Sequence, residues 1–142
     1  GSGQVQIDEI SILDGSGQAR RVFRTGEDVL VRLGVHATEA LDDVGFGVQI
    51  WSSDDRVLHG TNTFIVGQRI VLGPGPGTIE LRYQHLPLLA GTYWLTVGAT
   101  RGNDWSVPLD LREKVVRFEV LTSQLEAGMM TLTHHWGVHV SA

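Results

Sequence analysis

Leu86-Pro87-Leu88-Leu89-Ala90-Gly91-Thr92-Tyr93-Trp94-Leu95-Thr96-Val97-Gly98-Ala99-Thr100 reads as a corner followed by a strand. Gly91 lets the backbone turn where a Cβ would crowd it. Beyond it Tyr93, Leu95, Val97 and Ala99 alternate with Trp94, Thr96, Gly98 and Thr100. A period of two sends the first set to one face of a strand and the second set to the other. The Leu-x-x-Gly-x-Tyr spacing suits a tyrosine corner, whose ring is buried and whose hydroxyl bonds to upstream backbone. Tyr93 is therefore read as structural. Trp94 points the other way, and a large aromatic on the non-core face of a central strand is the first hint of a binding surface.

The rest of the chain fits an all-β setting. Its 142 residues suffice for one domain with a single core. With 42% hydrophobic and 19% charged residues it is globular rather than disordered. There are 18 glycines and strong Val, Leu and Thr usage, and Gly-rich turns between short apolar runs point to strands. No apolar run approaches the ~20 residues of a membrane span. A net charge of −5 argues against nucleic acid as a partner. Zero cysteines excludes a disulfide framework and a thiolate metal site, and fits the cytoplasm. No signal peptide is read. Gly1-Ser2-Gly3 reads as a cloning remnant, so the expectation is a piece of a longer protein, with residues 4–142 as one sandwich domain.

In order, Val5, Ile7, Ile10 and Ile12 form a first strand whose phase slips at Asp8-Glu9, which predicts a bulge. Arg20 to Phe23 is a short second strand. Val29, Val31, Leu33 and Val35 alternate with Leu30, Arg32, Gly34 and His36 in a half-buried third. Phe46, Val48 and Ile50 face inward, leaving Gly47, Gln49 and Trp51 outward. After the Ser52–Asp55 turn, Arg56 to His59 returns as a hairpin partner. Gly73 to Gly77, with two prolines, is read as a loop, and Ile79, Leu81 and Tyr83 as a strand. Asp110 to Lys114 is a charged lead-in to the strand of Val116, Phe118 and Val120. His134 to Val140 is read as a final strand after a linker at Ser123–Gly128. About eight to ten strands and no amphipathic helix predict an all-β, immunoglobulin-like antiparallel β-sandwich.

Taken in order, Phe23-x-Thr25-Gly26-Glu27-x-Val29-x-Val31, Phe46-Gly47-Val48-x-Ile50, Val57-x-x-Gly60-x-Asn62-Thr63, the Leu-x-x-Gly-x-Tyr corner and His135-Trp136-x-Val138 resemble one known family. It is the C-terminal carbohydrate-binding domain of Wzt, the nucleotide-binding subunit of ABC transporters that export O-antigen polysaccharide. The resemblance spans residues 5–140 and implies a sandwich that recognises the exported glycan. It also implies a homodimer that can exchange its last strand, ATPase and transmembrane transporter subunits as partners, and a place at the cytoplasmic side of the inner membrane. The lysine motif of a P-loop is absent from this chain, so ATP hydrolysis by that mechanism is not expected of it.

Glycan sites stack aromatic faces on sugar C–H groups and read hydroxyl pairs with planar polar side chains. Trp51, Trp94 and Trp105 are the candidate faces. Gln49, Arg32, His36 and Thr96 share the outward phase and join one surface if their strands are neighbours. The competing reading packs these tryptophans under a loop or at a dimer contact, where Trp is also enriched. Asn62 either bonds ligand or closes an Asx turn, and the turn is favoured. Arg101, Asn103 and Asp104, on the loop after the anchor strand, are further candidates. His134, His135 and His139 invite a metal reading, but on a strand at most two share a face and no carboxylate accompanies them. Neither metal nor cofactor is expected. Asp42, Asp43, Asp54, Asp55 and Asp104 lie in turns, unlike the paired, environment-tuned carboxylates of a glycosidase, so catalysis is not expected. Two rival readings remain: a protein-interaction sandwich without glycan binding, and the carbohydrate-binding module of a secreted hydrolase.

Overall fold

The computed structural model describes residues 3–141, so the reading of Gly1 and Ser2 as a remnant lies outside the described residues. Eight strands follow in order: β1 (Val5–Asp14), β2 (Val22–Arg24), β3 (Val29–Ala37), β4 (Val44–Ser52), β5 (Val57–Asn62), β6 (Gly75–Tyr83), β7 (Gly91–Arg101) and β8 (Asp110–Leu121). A three-stranded sheet in the order β1-β3-β6 faces a five-stranded sheet in the order β2-β8-β7-β4-β5. The inward residues follow from the alternation. Val29, Val31, Leu33 and Val35 of β3 pack against Phe46, Val48 and Ile50 of β4 and Tyr93, Leu95, Val97 and Ala99 of β7 in one buried cluster. The expected bulge is present between Ile7 and Glu9. Nearby the Ile7 N–H donates to Asp110 Oδ2 at 2.8 Å, tying β1 to β8 across the sandwich.

The corner at the start of β7 is a tyrosine corner. The Tyr93 hydroxyl donates to the Leu89 carbonyl at 2.7 Å, and its ring is 2% exposed. It stacks on Phe118 with centroids 5.6 Å apart, and Phe118 meets Phe23 edge-on at 6.2 Å. A Cβ on Gly91 would stand 3.2 Å from the Tyr93 hydroxyl, so the glycine is what lets this ring fold back.

Several elements depart from the expectations. β2 runs parallel to β8, so the larger sheet is mixed rather than antiparallel. Gly75, Pro76 and Gly77, read as loop, belong to β6 and pair with Ala37, His36 and Val35. This works because β6 is an edge strand, where a proline without an N–H forfeits no ladder bond. Asp110–Lys114 is not a lead-in but the first part of β8. The final strand does not form. Beyond Leu121 the described residues make one bridge, Leu88 to Met130, supported by Leu89 N–H to Met129 O at 2.8 Å and Thr131 N–H to Pro87 O at 2.7 Å. Trp136, Val138 and Val140 are then 88%, 77% and 85% exposed. Alternation specifies which face of a strand is apolar, but a strand also needs an edge to pair with, and this segment meets none among the described residues.

Candidate functional site

The outer face of the five-stranded sheet carries the site, and the register of β4 on β7 lays it out. Gly47 lies opposite Gly98, Gln49 opposite Thr96, and Trp51 opposite Trp94. The glycine pair leaves a bare patch of backbone. Trp105, from the loop joining β7 to β8, folds its indole across both. A Cβ on Gly47 would come 2.8 Å from Trp105 Cη2, and one on Gly98 would come 2.9 Å from Cζ3. The loop is held to do this. Trp105 Nε1 donates to Asn103 Oδ1 at 3.0 Å, the Thr100 hydroxyl donates to the Asp104 carbonyl, and Leu109 N–H donates to Ala99 O at 2.8 Å. Asp104 accepts from the Ser106 hydroxyl and backbone N–H, which hold its carboxyl below the usual aspartate value.

Along the other side, β8 bulges. Leu95 pairs with Val116 and Val97 with Arg112, so Glu113, Lys114 and Val115 stand opposite Thr96 alone. Lys114 takes a φ of 45, in the left-handed region, and its N–H donates to Thr96 Oγ1 at 2.9 Å. Thr96 is 7% exposed because the bulge covers it. A bulge bends its strand and re-aims side chains, and here it carries the Lys114 ammonium to 4.7 Å above the Trp51 ring. The ammonium also pairs with Asp55. Trp51 Nε1 donates to Gln49 Oε1 at 3.2 Å, which fixes both side chains.

The β5 side closes the cleft. Gln49 lies against Gly60, whose Cβ would meet Gln49 Cγ at 3.3 Å. Asn62 Oδ1 accepts from Ile65 N–H at 2.9 Å, three residues on, so its oxygen closes the turn after β5, and Ile65 joins the lining. The result is a cleft of about 610 Å³ with Trp51 and Trp105 in its walls and Gln49, Thr61, Asn62, Thr96, Glu113 and Lys114 as its polar groups. Its volume lies within the range of pockets that hold small ligands. Partial apolar lining with convergent polar groups suits a ligand that has both C–H faces and hydroxyls.

Of the candidates read from sequence, the cleft gathers Trp51, Gln49, Thr96, Asn62 and Trp105. Trp94 lies on the same face but outside the lining, between Trp51 on one side and Arg117 on the other. Arg101 is exposed and bonds Asp43 Oδ1 at 2.7 Å, and Asp104 is spent inside its turn. Arg32 and His36 do not join the surface. They belong to β3, which lies in the other sheet, and Arg32 pairs there with Glu80 at 2.5 Å. Outward phase does not say which sheet a strand joins, and that is where the expectation failed. Sequence reading missed Glu113 and Lys114, which owe their place to a bulge that no pattern marks. It also missed Gly47 and Gly98, whose outward phase before a loop tryptophan was the available signal. Among the described residues no group of three or more His, Asp or Glu converges as a metal site would require.

The family model described as the Wzt C-terminal domain matches residues 1–132. The O-antigen export system ATP-binding protein RfbB of Myxococcus xanthus is 28% identical over 142 residues, covering 99% of this chain. The chain spans 31% of that relative's length. A crystal structure of the C-terminal domain of Wzt superposes with a TM-score of 0.88 at 22% identity, over 98% of this chain and 86% of that one. A putative β-galactosidase from Bacteroides fragilis shares the fold alone, with a TM-score of 0.54 at 12% identity over 77% of this chain and 17% of that one.

Proposed function

This chain belongs to the Wzt C-terminal domain family, and from that membership we propose that it is a glycan-binding domain of an O-antigen export ABC transporter. In this reading it binds the polysaccharide to be exported and performs no chemistry on it. It works beside the ATPase and transmembrane subunits at the cytoplasmic face of the inner membrane. The observation that carries the reading is the cleft on the five-stranded face. Two indoles offer apolar surface there, and amide, hydroxyl and carboxylate groups stand beside them. Glu113 is its one carboxylate, whereas glycoside hydrolysis uses two flanking the bond. The charges at Glu113 and Lys114 also weigh against a protein-docking face, because the cores of protein interfaces are depleted of charge.

The same reading assigns the C-terminal segment to a homodimer. Leu132, Trp136, Val138 and Val140 are exposed in a single chain, and pairing with a second copy would cover them at little cost.

The test is titration of the domain against the polysaccharide of its source strain. Trp51→Ala should weaken binding about thirtyfold, the loss of ~2 kcal/mol typical of a central aromatic contact, and leave the melting temperature close to the parent's. Trp94→Ala should weaken it less, since Trp94 stands outside the cleft. A Trp51→Ala variant that binds as tightly as the parent would end the proposal.

A further inference from the structure

Resting on the glycan-binding reading, we infer that the cleft selects uncharged, hydroxyl-rich sugar residues and rejects uronates and phosphorylated sugars, with Glu113 as the residue that sets this preference. Two charged side chains line the cleft, Glu113 and Lys114, both from the β8 bulge. Lys114 is already committed. Its ammonium pairs with Asp55 from the β4–β5 turn and lies over the Trp51 ring. Glu113 is not. Among the described residues it makes neither a hydrogen bond nor an ion pair. The remaining lining from β4, β5 and β7 carries no charge. Among the described lining residues Glu113 is therefore the charge without an ion-pair partner, and the one cation of that lining, Lys114, is already paired.

The hydrogen-bonding inventory points the same way. Gln49 and Asn62 each have the side-chain oxygen engaged, Gln49 by Trp51 Nε1 and Asn62 by Ile65 N–H, which leaves their amide N–H groups as donors. The Glu113 carboxylate offers acceptors. Donors on one side and a free acceptor on the other match hydroxyl groups, each of which donates and accepts. A carboxylate or phosphate group standing where a hydroxyl would stand only accepts at neutral pH. It would satisfy Gln49 and Asn62, leave Glu113 without a donor and meet its charge.

The experiment screens the 142-residue domain on a panel balanced between neutral and acidic bacterial glycans, with titration of the strongest members of each class. The parent should bind neutral members and discriminate against acidic ones by roughly fivefold or more, the scale of one partly solvated charge interaction. Glu113→Lys should remove or reverse that discrimination. Asp55→Asn should also narrow it by releasing Lys114, and asparagine tolerates the φ of 66 found at that position. Equal or preferential binding of acidic glycans by the parent, or discrimination that survives Glu113→Lys, overturns the inference and leaves glycan binding standing. Failure to bind any member of either class overturns both.

Discussion

Replacing Gly98 with alanine tests how the cleft is built. The new Cβ would lie 2.9 Å from Trp105 Cζ3 and 3.2 Å from Leu111 Cδ1, so the indole must lift off the sheet. An indole with one face on the sheet covers on the order of 100 Å² of apolar surface, worth ~2.5 kcal/mol at 25 cal/mol/Å². Alanine in a strand recovers ~0.5–1 kcal/mol relative to glycine, and a displaced loop side chain re-docks in part. The net loss should be ~1–2 kcal/mol, a fall in melting temperature of ~2–8 °C for a domain of this size. Affinity for the glycan should fall about thirtyfold, because one wall of the cleft has moved. If the glycine acts through the indole, the effects of Gly98→Ala and Trp105→Ala on binding should be far from additive in a double-mutant cycle. Additive losses, or unchanged binding with an unchanged Trp105 indole N–H resonance in Gly98→Ala, would show that Gly98 does not seat the indole.

Three further outcomes are expected. Tyr93→Phe removes the bond to the Leu89 carbonyl and should cost ~1–2 kcal/mol in thermal or denaturant unfolding, with glycan affinity unchanged, since that hydroxyl faces the corner. Burial pushes the Asp110 carboxyl up, but the Arg112 guanidinium and the Ile7 N–H outweigh it and hold it below the usual 3.8. The stability this group supplies is therefore full above that value and lost as pH falls through the lower folded-state value, so melts below about pH 4 should show a steeper acid loss for the parent than for Asp110→Asn. Deleting residues 129–142 should convert a dimer into a monomer or an aggregate, and light scattering that finds an unchanged dimer would rule out the strand-exchange reading.

The fold was legible because alternation along β3, β4 and β7 tells inside from outside, and Gly91 with Tyr93 marks a corner. What alternation does not carry is partnership. Arg32 and Trp51 share a phase yet lie on different sheets, and the alternating residues from His134 to Val140 find no edge. Pro76 was misread for a related reason, since an edge position excuses the missing donor. Half of the cleft was visible as outward polar and aromatic residues on β4 and β7. The rest comes from a bulge at Lys114 and a loop that folds Trp105 onto Gly47 and Gly98, both products of tertiary packing.

In the proposed function glycan occupies the cleft on the five-stranded face. The four tryptophans, Trp51, Trp94, Trp105 and Trp136, each carry an indole N–H whose resonance can be followed separately as the cognate polysaccharide is added. Trp51 and Trp105 should move most and together, Trp94 less, and Trp136 not at all. Movement of Trp136 with Trp51 and Trp105 at rest would contradict the account.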